Sequence, residues 1–273
     1  MAAAVALALA ALFALGTRTT APPLPDGVSK RTVTVRLTGR AVRVDLYAGP
    51  DAHGAPVAII AHGFSRGRRH MVGWGGLLAS NGFVVAIPDQ PSLSDAGRNS
   101  RALAELLQML RSDRSMLPPA PGPRCVMIGF SLGGLTSLLA AAQCQADAWV
   151  GLDPVDFDDA GRRAAKKFRA PVAVIVAEPC PWNRHANIMG ILRSFAGPVF
   201  SLRVKGAGHC DVESPTDLLG KIACGPIDPA RLSIFQRYAL AFLRATLRRE
   251  AAAEQELHRA GNDPAVTAAA SVR

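Results

Sequence analysis

Gly129-Phe130-Ser131-Leu132-Gly133 has the pattern G-x-S-x-G, and its setting matters more than its letters. It directly follows the apolar run Cys125–Ile128 and precedes a helical pattern opening near Leu132. A serine on a sharp strand-to-helix turn needs small flanking residues, because side chains there would clash. The turn lifts the hydroxyl out of the sheet and sets it above a helix N-terminus, which favours developing negative charge. Such a serine becomes a strong nucleophile only when a base takes its proton. Of the six histidines, His53 and His70 lie in early loops, His185 in a proline-rich loop and His258 near the C-terminal end. His209, in Lys205-Gly206-Ala207-Gly208-His209-Cys210-Asp211 after the last apolar run, has the chain order and position of a general base for Ser131. The acid that orients it is expected between the two. Asp153, ending the run Trp149–Leu152, is favoured; Asp156, three residues on, and Glu178, at the end of Val172–Ala177, are the alternatives. An acid after the later run would normally sit a few residues past its end, where this chain has Cys180, Pro181 and Trp182. The loop Ala61-His62-Gly63-Phe64-Ser65 completes the set. The backbone N–H groups of Phe64 and Leu132 are the expected oxyanion donors, and His62 is expected to brace the loop rather than act as the base.

Those residues need a frame that brings strand ends together. Val33–Leu37 and Val42–Tyr47 alternate apolar and polar residues, as half-exposed antiparallel strands do. The runs Val57–Ala61, Phe83–Ile87, Cys125–Ile128, Trp149–Leu152, Val172–Ala177 and Phe200–Val204 are continuously apolar, which predicts strands buried on both faces. Helical patterns fill the gaps at Ala102–Arg114, Leu132–Cys144, Ile188–Phe195 and Pro229–Leu247, the last with a stripe of Leu232, Phe235, Tyr238, Ala239 and Phe242 that should pack on the sheet. The reading is a single α/β domain over residues 28–249, with a mostly parallel central sheet and helices on both faces. The segment between Asp153 and Val172 is too short for a large cap. Residues 250–273, alanine-rich and polar, read as a frayed tail.

The composition bounds the possibilities. Of 273 residues, 49% are hydrophobic and 19% charged, which excludes a disordered chain. No apolar run reaches the roughly 18–20 residues that span a bilayer, so no integral membrane span is expected. Residues 1–27 read as a signal peptide and linker: Met1 to Leu15 form a short apolar core, and Ala14-Leu15-Gly16 offers small residues for cleavage. Export to the periplasm or the medium is the expected localisation, with the cytoplasm the alternative. Five cysteines fit an oxidising compartment; Cys210 and Cys224, bracketing one loop, are the preferred pair, and Cys125 reads as a small buried hydrophobe. No cysteine or histidine spacing suggests a metal, and no cofactor is expected. The net charge of +10 comes from 31 Lys and Arg against 21 Asp and Glu. It is mostly dispersed arginine without a nucleic-acid motif, so no nucleic-acid partner is expected. Arg66, Arg68 and Arg69 form a dense basic cluster that reads first as a solvated face, although its place just past the oxyanion loop would also suit a substrate bearing an anionic group.

Together these residues resemble the α/β-hydrolase superfamily over roughly residues 33–247. Within it, Gly151-Leu152-Asp153-Pro154-Val155-Asp156, Glu178-Pro179-Cys180-Pro181-Trp182-Asn183 and Gly208-His209-Cys210-Asp211 resemble the chlorophyllase branch and related bacterial serine esterases. The resemblance implies a single-domain α/β-hydrolase fold and a Ser131–His209–Asp153 triad, since in that branch the acid belongs to the Asp-Pro-Val-Asp segment. It implies hydrolysis of a small-molecule carboxylic ester through an acyl-enzyme, without a cofactor. Phe130 and Leu132 depart from the His and Arg that plant chlorophyllases carry in the elbow, which argues against chlorophyll itself. Acyl transfer on the same triad, or an inactive member serving as a binding protein, are the competing expectations. Phe64, Phe130 and Trp182 are expected to flank an open site.

Overall fold

The computed structural model describes residues 21–50, 52–112 and 121–268, so the expected signal segment lies outside the described residues. Two antiparallel strands come first, β1 (Ser29–Leu37) and β2 (Arg40–Ala48). Then β3 (Val57–Ala61), α1 (Val72–Ser80), β4 (Val84–Pro88), α2 (Ala96–Ser112), β5 (Cys125–Phe130), α3 (Leu132–Cys144), β6 (Ala148–Leu152), α4 (Ala160–Ala165), β7 (Val172–Val176) and β8 (Val199–Val204) follow. After β8 come α5 (Leu218–Cys224), α6 (Pro229–Arg248), α7 (Ala251–Arg259) and a short last strand, β9 (Val266–Ala268). All nine strands form one sheet in the order β1-β2-β4-β3-β5-β6-β7-β8-β9. From β4 to β8 every pairing is parallel, so these six strands end at the same edge, with β5 near the centre.

The apolar runs explain that sheet. Successive side chains of a strand point to opposite faces, so a continuous run supplies both. Val57, Ile59, Met127, Trp149, Val172 and Val174 pack on one face with α2, α3 and α4. Ala58, Ile60, Val126, Ile128, Ala173 and Ile175 pack on the other with α1 and α6. The stripe expected on the last long helix is there: Phe235, Tyr238, Ala239 and Phe242 are buried, with Leu232 partly buried beside them. The expected helix at Ile188–Phe195 is a 3-10 helix over Asn187–Ser194. The helix expected to begin at Ala102 begins at Ala96, and its expected end at Arg114 lies outside the described residues.

The C-terminal segment differs from expectation. Residues 251–259 form α7, and β9 pairs antiparallel with β8 through Leu202↔Ala268, Arg203↔Thr267 and Val204↔Val266. Alanine is the best helix former, and here Ala253 and Ala260 are buried rather than left in solvent. Arg244 and Arg248 both bridge to Glu250, and the Tyr238 hydroxyl donates to Asp263 at 2.7 Å, tying the segment to α6. β9 thereby covers the edge that β8 would otherwise leave unpaired.

Candidate active site

Ser131 sits between β5 and α3 with φ +56° and ψ −124°, a conformation that L-residues rarely adopt. Its glycine neighbours explain how the chain tolerates it. A Cβ on Gly129 would lie 2.0 Å from the Gly133 carbonyl oxygen, and one on Gly133 would lie 2.3 Å from the His62 carbonyl oxygen. Strand, turn, helix and the loop after β3 are therefore packed backbone to backbone, which a larger residue at either position would pry apart.

The Ser131 hydroxyl donates to His209 Nε2 at 2.9 Å, and His209 Nδ1–H donates to Asp153 Oδ2 at 2.6 Å. These partners lie 78 and 56 residues apart in the chain, and all three are buried. Asp153 follows β6 with φ +43°; its N–H donates to the Ile175 carbonyl, which turns the carboxylate toward the end of β7. There its Oδ1 accepts from the Ala177 N–H at 2.9 Å. The Asn183 amide donates to both carboxylate oxygens, at 3.2 and 3.1 Å. Asn183 was not singled out as a site residue on sequence grounds. Its own Oδ1 accepts from the N–H groups of Cys180 and Ala186, so its amide is held in place by the proline-rich loop.

The two alternative acids do other work. Asp156 accepts from the N–H groups of Gly161 and Arg162 at the start of α4. Glu178 accepts from the Gly206 N–H at 3.0 Å and lies 3.9 Å from Arg203, on the approach to the histidine loop rather than against its ring. Neither is hydrogen-bonded to His209.

His209 is held from several sides. Phe130 packs on its ring, with centroids 4.7 Å apart. Asp211 accepts from the Gly208 and Asp228 N–H groups, pinning the turn to the start of α6. The expected disulfide joins Cys210, next to the histidine, to Cys224 at the end of α5, while Cys125, Cys144 and Cys180 are free thiols. Cys125 is fully buried at the start of β5.

The loop after β3 lies against the serine: a Cβ on Gly63 would stand 3.2 Å from the Ser131 Cβ. This brings the Phe64 peptide beside the nucleophile, while Leu132 opens α3, where helix N–H groups have no intrahelical acceptor. His62 braces the loop. Its Nε2 accepts from the Gln90 N–H at 3.0 Å, its Nδ1–H donates to the Gly63 carbonyl at 3.0 Å, and the Gln90 amide returns a bond to the His62 carbonyl at 2.5 Å. Burial pushes its imidazole down to about 4, so it stays neutral and keeps that tautomer.

Two of the three arginines in the cluster past this loop are engaged by carboxylates. Arg66 makes a two-point bond to Glu213, at 2.6 and 2.5 Å, and lies 3.0 Å from Asp217. Arg68 is held by Asp45 at 2.9 Å and Asp89 at 2.5 Å. Only Arg69 remains half exposed, 3.6 Å from Asp217. The expectation of a solvated face therefore fails for Arg66 and Arg68, which carboxylates hold and neutralise. Arg66 instead straps the loop after β3 to the segment after His209. His70 joins the same strap: its Nε2–H donates to Asp217 at 3.1 Å while its Nδ1 accepts from the Gly67 N–H. Burial alone would raise the Asp217 carboxyl, but the Gly220 N–H and the Arg66 guanidinium outweigh it and hold it at about 2.

Among the described residues no group of three or more His, Cys, Asp or Glu is arranged to hold a metal ion, and no helix is long and apolar enough to cross a membrane. What the arrangement can do is move a proton. A hydroxyl bonded to one imidazole nitrogen, with the other nitrogen donating to a buried carboxylate, can attack an electrophilic carbon as it loses its proton. No protein-family model matches this chain, and no curated protein matches it.

Proposed function

We propose that this protein is a serine hydrolase of carboxylic esters, with the single-domain architecture of the α/β-hydrolases. The reading rests on one observation above all, the unbroken hydrogen-bonded chain from the Ser131 hydroxyl through His209 to Asp153. Ser131 attacks the ester carbonyl while His209 Nε2 takes the hydroxyl proton. Asp153 keeps Nδ1 protonated, so that Nε2 is free to act as base, and it stabilises the imidazolium that forms. The oxyanion falls to the N–H of Phe64, in the loop after β3, and that of Leu132, at the N-terminus of α3. His209 returns its proton to the leaving alcohol; water then attacks the acyl carbonyl, giving a proton to His209, which passes it to the Ser131 oxygen as the acid leaves. Acyl transfer on the same triad is the alternative: a nucleophilic alcohol in large excess would compete with water for the acyl-enzyme. Export belongs to the same proposal, and the Cys210–Cys224 disulfide supports it, since such bonds persist in oxidising compartments.

Labelling with a fluorophosphonate, with the adduct mapped by mass spectrometry, tests the reading directly. The adduct is expected on Ser131, absent in Ser131→Ala and strongly slowed in His209→Ala. A folded protein that takes no label and turns over no ester would overturn it.

A further inference from the structure

Seven large apolar side chains are exposed among the described residues: Leu24, Phe64, Leu93, Phe157, Trp182, Leu218 and Ile222. Single exposed apolar residues are ordinary on a protein surface; their placement here is not. Apart from Leu24, every one follows the C-terminal end of a parallel strand. Phe64 comes after β3, Leu93 after β4, Phe157 after β6, Trp182 after β7, and Leu218 and Ile222 after β8. The strand in their midst, β5, is the one that ends in Ser131. The two most exposed, Leu93 at 69% and Ile222 at 66%, stand on opposite sides of it.

The apolar rim is built rather than frayed. α5 is amphipathic in reverse: its buried residue is Gly220, set against Thr216 and Arg66, while Leu218 and Ile222, one turn apart on the same face, meet solvent. The Cys210–Cys224 disulfide anchors its far end. The Trp182 indole N–H donates to the Ala223 carbonyl at 2.8 Å, so this half-exposed ring is fixed against the same helix. Exposed cations stand among these residues: Arg69, Lys221 within α5, and Arg184, whose guanidinium lies 4.3 Å from the centre of the Phe157 ring. Exposed acids at this edge are Asp95, Asp158 and Asp159, the last held by Arg162 at 3.1 Å. The chain as a whole carries +10.

We infer that this rim seats the protein on an anionic phospholipid surface, with the end of β5 that carries Ser131 turned toward the lipid. A side chain already fixed in water, as Trp182 is, loses little conformational freedom on entering the headgroup boundary, and cations beside the apolar residues meet the negative surface. The inference rests on the esterase reading only for its consequence, that the esters hydrolysed are those presented by such a surface.

Sedimentation of the purified protein with vesicles tests it. One set is phosphatidylcholine alone and the other is phosphatidylcholine mixed with phosphatidylglycerol. Leu93→Asp/Ile222→Asp is compared with Gln108→Asp/Gln143→Asp, which adds the same charge at exposed positions away from the rim. The expected result is binding to the anionic vesicles that falls at least tenfold in the rim variant and stays near wild type in the control. All three proteins should turn over a short soluble ester alike, which also shows that they are folded. No sedimentation with anionic vesicles, equal binding to both vesicle types, or an equal loss in both variants would each overturn the inference. Failure of the esterase reading looks different: no label on Ser131 and no soluble-ester turnover, with sedimentation unchanged.

Discussion

Asp153, Asp156 and Glu178 are carboxylates near strand ends, and only Asp153 touches an imidazole. Replacing it by asparagine keeps the size but removes the acceptor that fixes the His209 tautomer. Asp153→Asn should therefore lower kcat by about 10⁴-fold with little change in folding, whereas Asp156→Asn and Glu178→Gln should keep kcat within a few-fold. Steady-state kinetics on one soluble ester decides among the three. Asn183 works one step further out, as a positioning residue that bonds the carboxylate and not the histidine. Hydrogen bonds to charged groups are worth roughly 1.5–3 kcal/mol, so Asn183→Ala should cost about 10- to 100-fold in kcat/KM, mostly through kcat. Spacing and resemblance favoured Asp153 without excluding Asp156 or Glu178, and nothing in chain order pointed to Asn183. A carboxylate at a strand end looks the same whether its side chain meets a histidine or a helix N-terminus.

Between elements, the segment from His209 to α5 is fastened twice. The disulfide closes a loop with a sequence separation of 14, for which chain entropy predicts a stabilisation of about 3 kcal/mol. Cys224→Ser should accordingly lower Tm and raise proteolytic cutting between residues 210 and 224, while Ser131 still takes the phosphonate label more slowly. The other fastening is the strap of Arg66, Glu213 and Asp217. Glu213 is fully buried and Arg66 mostly so, and Arg66→Ala leaves a buried carboxylate without its cation, which should cost on the order of 3 kcal/mol in denaturant unfolding. The Asp217 carboxyl, at about 2, lies below the usual carboxylate range. A depressed folded value means that its stabilisation is full above about pH 4 and is lost as pH falls through about 2. Asp217→Asn should thus be less stable at neutral pH yet lose less of its remaining stability on acidification. Unfolding free energies measured across that range check the sign.

At the scale of the whole molecule, the sheet is closed at its β8 side by chain that looked dispensable. Truncation after Arg249 would remove α7 and β9, strip Tyr238 of its Asp263 partner and leave the β8 edge open. The truncated protein should melt at a lower temperature and self-associate, as size-exclusion chromatography with light scattering would show. The continuous apolar runs made the six parallel strands legible, since two buried faces leave no room for polar alternation. α1, by contrast, went unread: Gly73, Gly75 and Gly76 lie in it and mask the helical pattern, yet they are small because Ser214, Tyr47 and Pro25 crowd against them.

From the sequence alone came the alternation of strands and helices, the strained turn at Ser131, the His209 loop and the Cys210–Cys224 pair. All of these are written in local periodicity, in turn chemistry or in order along the chain. Asp153 was already favoured there, but the bonds that single it out from Asp156 and Glu178, the support from Asn183, the neutralisation of Arg66 and Arg68 and the apolar rim around β5 were decided by tertiary structure. Each depends on which residues, tens of positions apart, the sheet register and the loops bring within hydrogen-bonding distance or leave facing water, and local pattern carries no record of that.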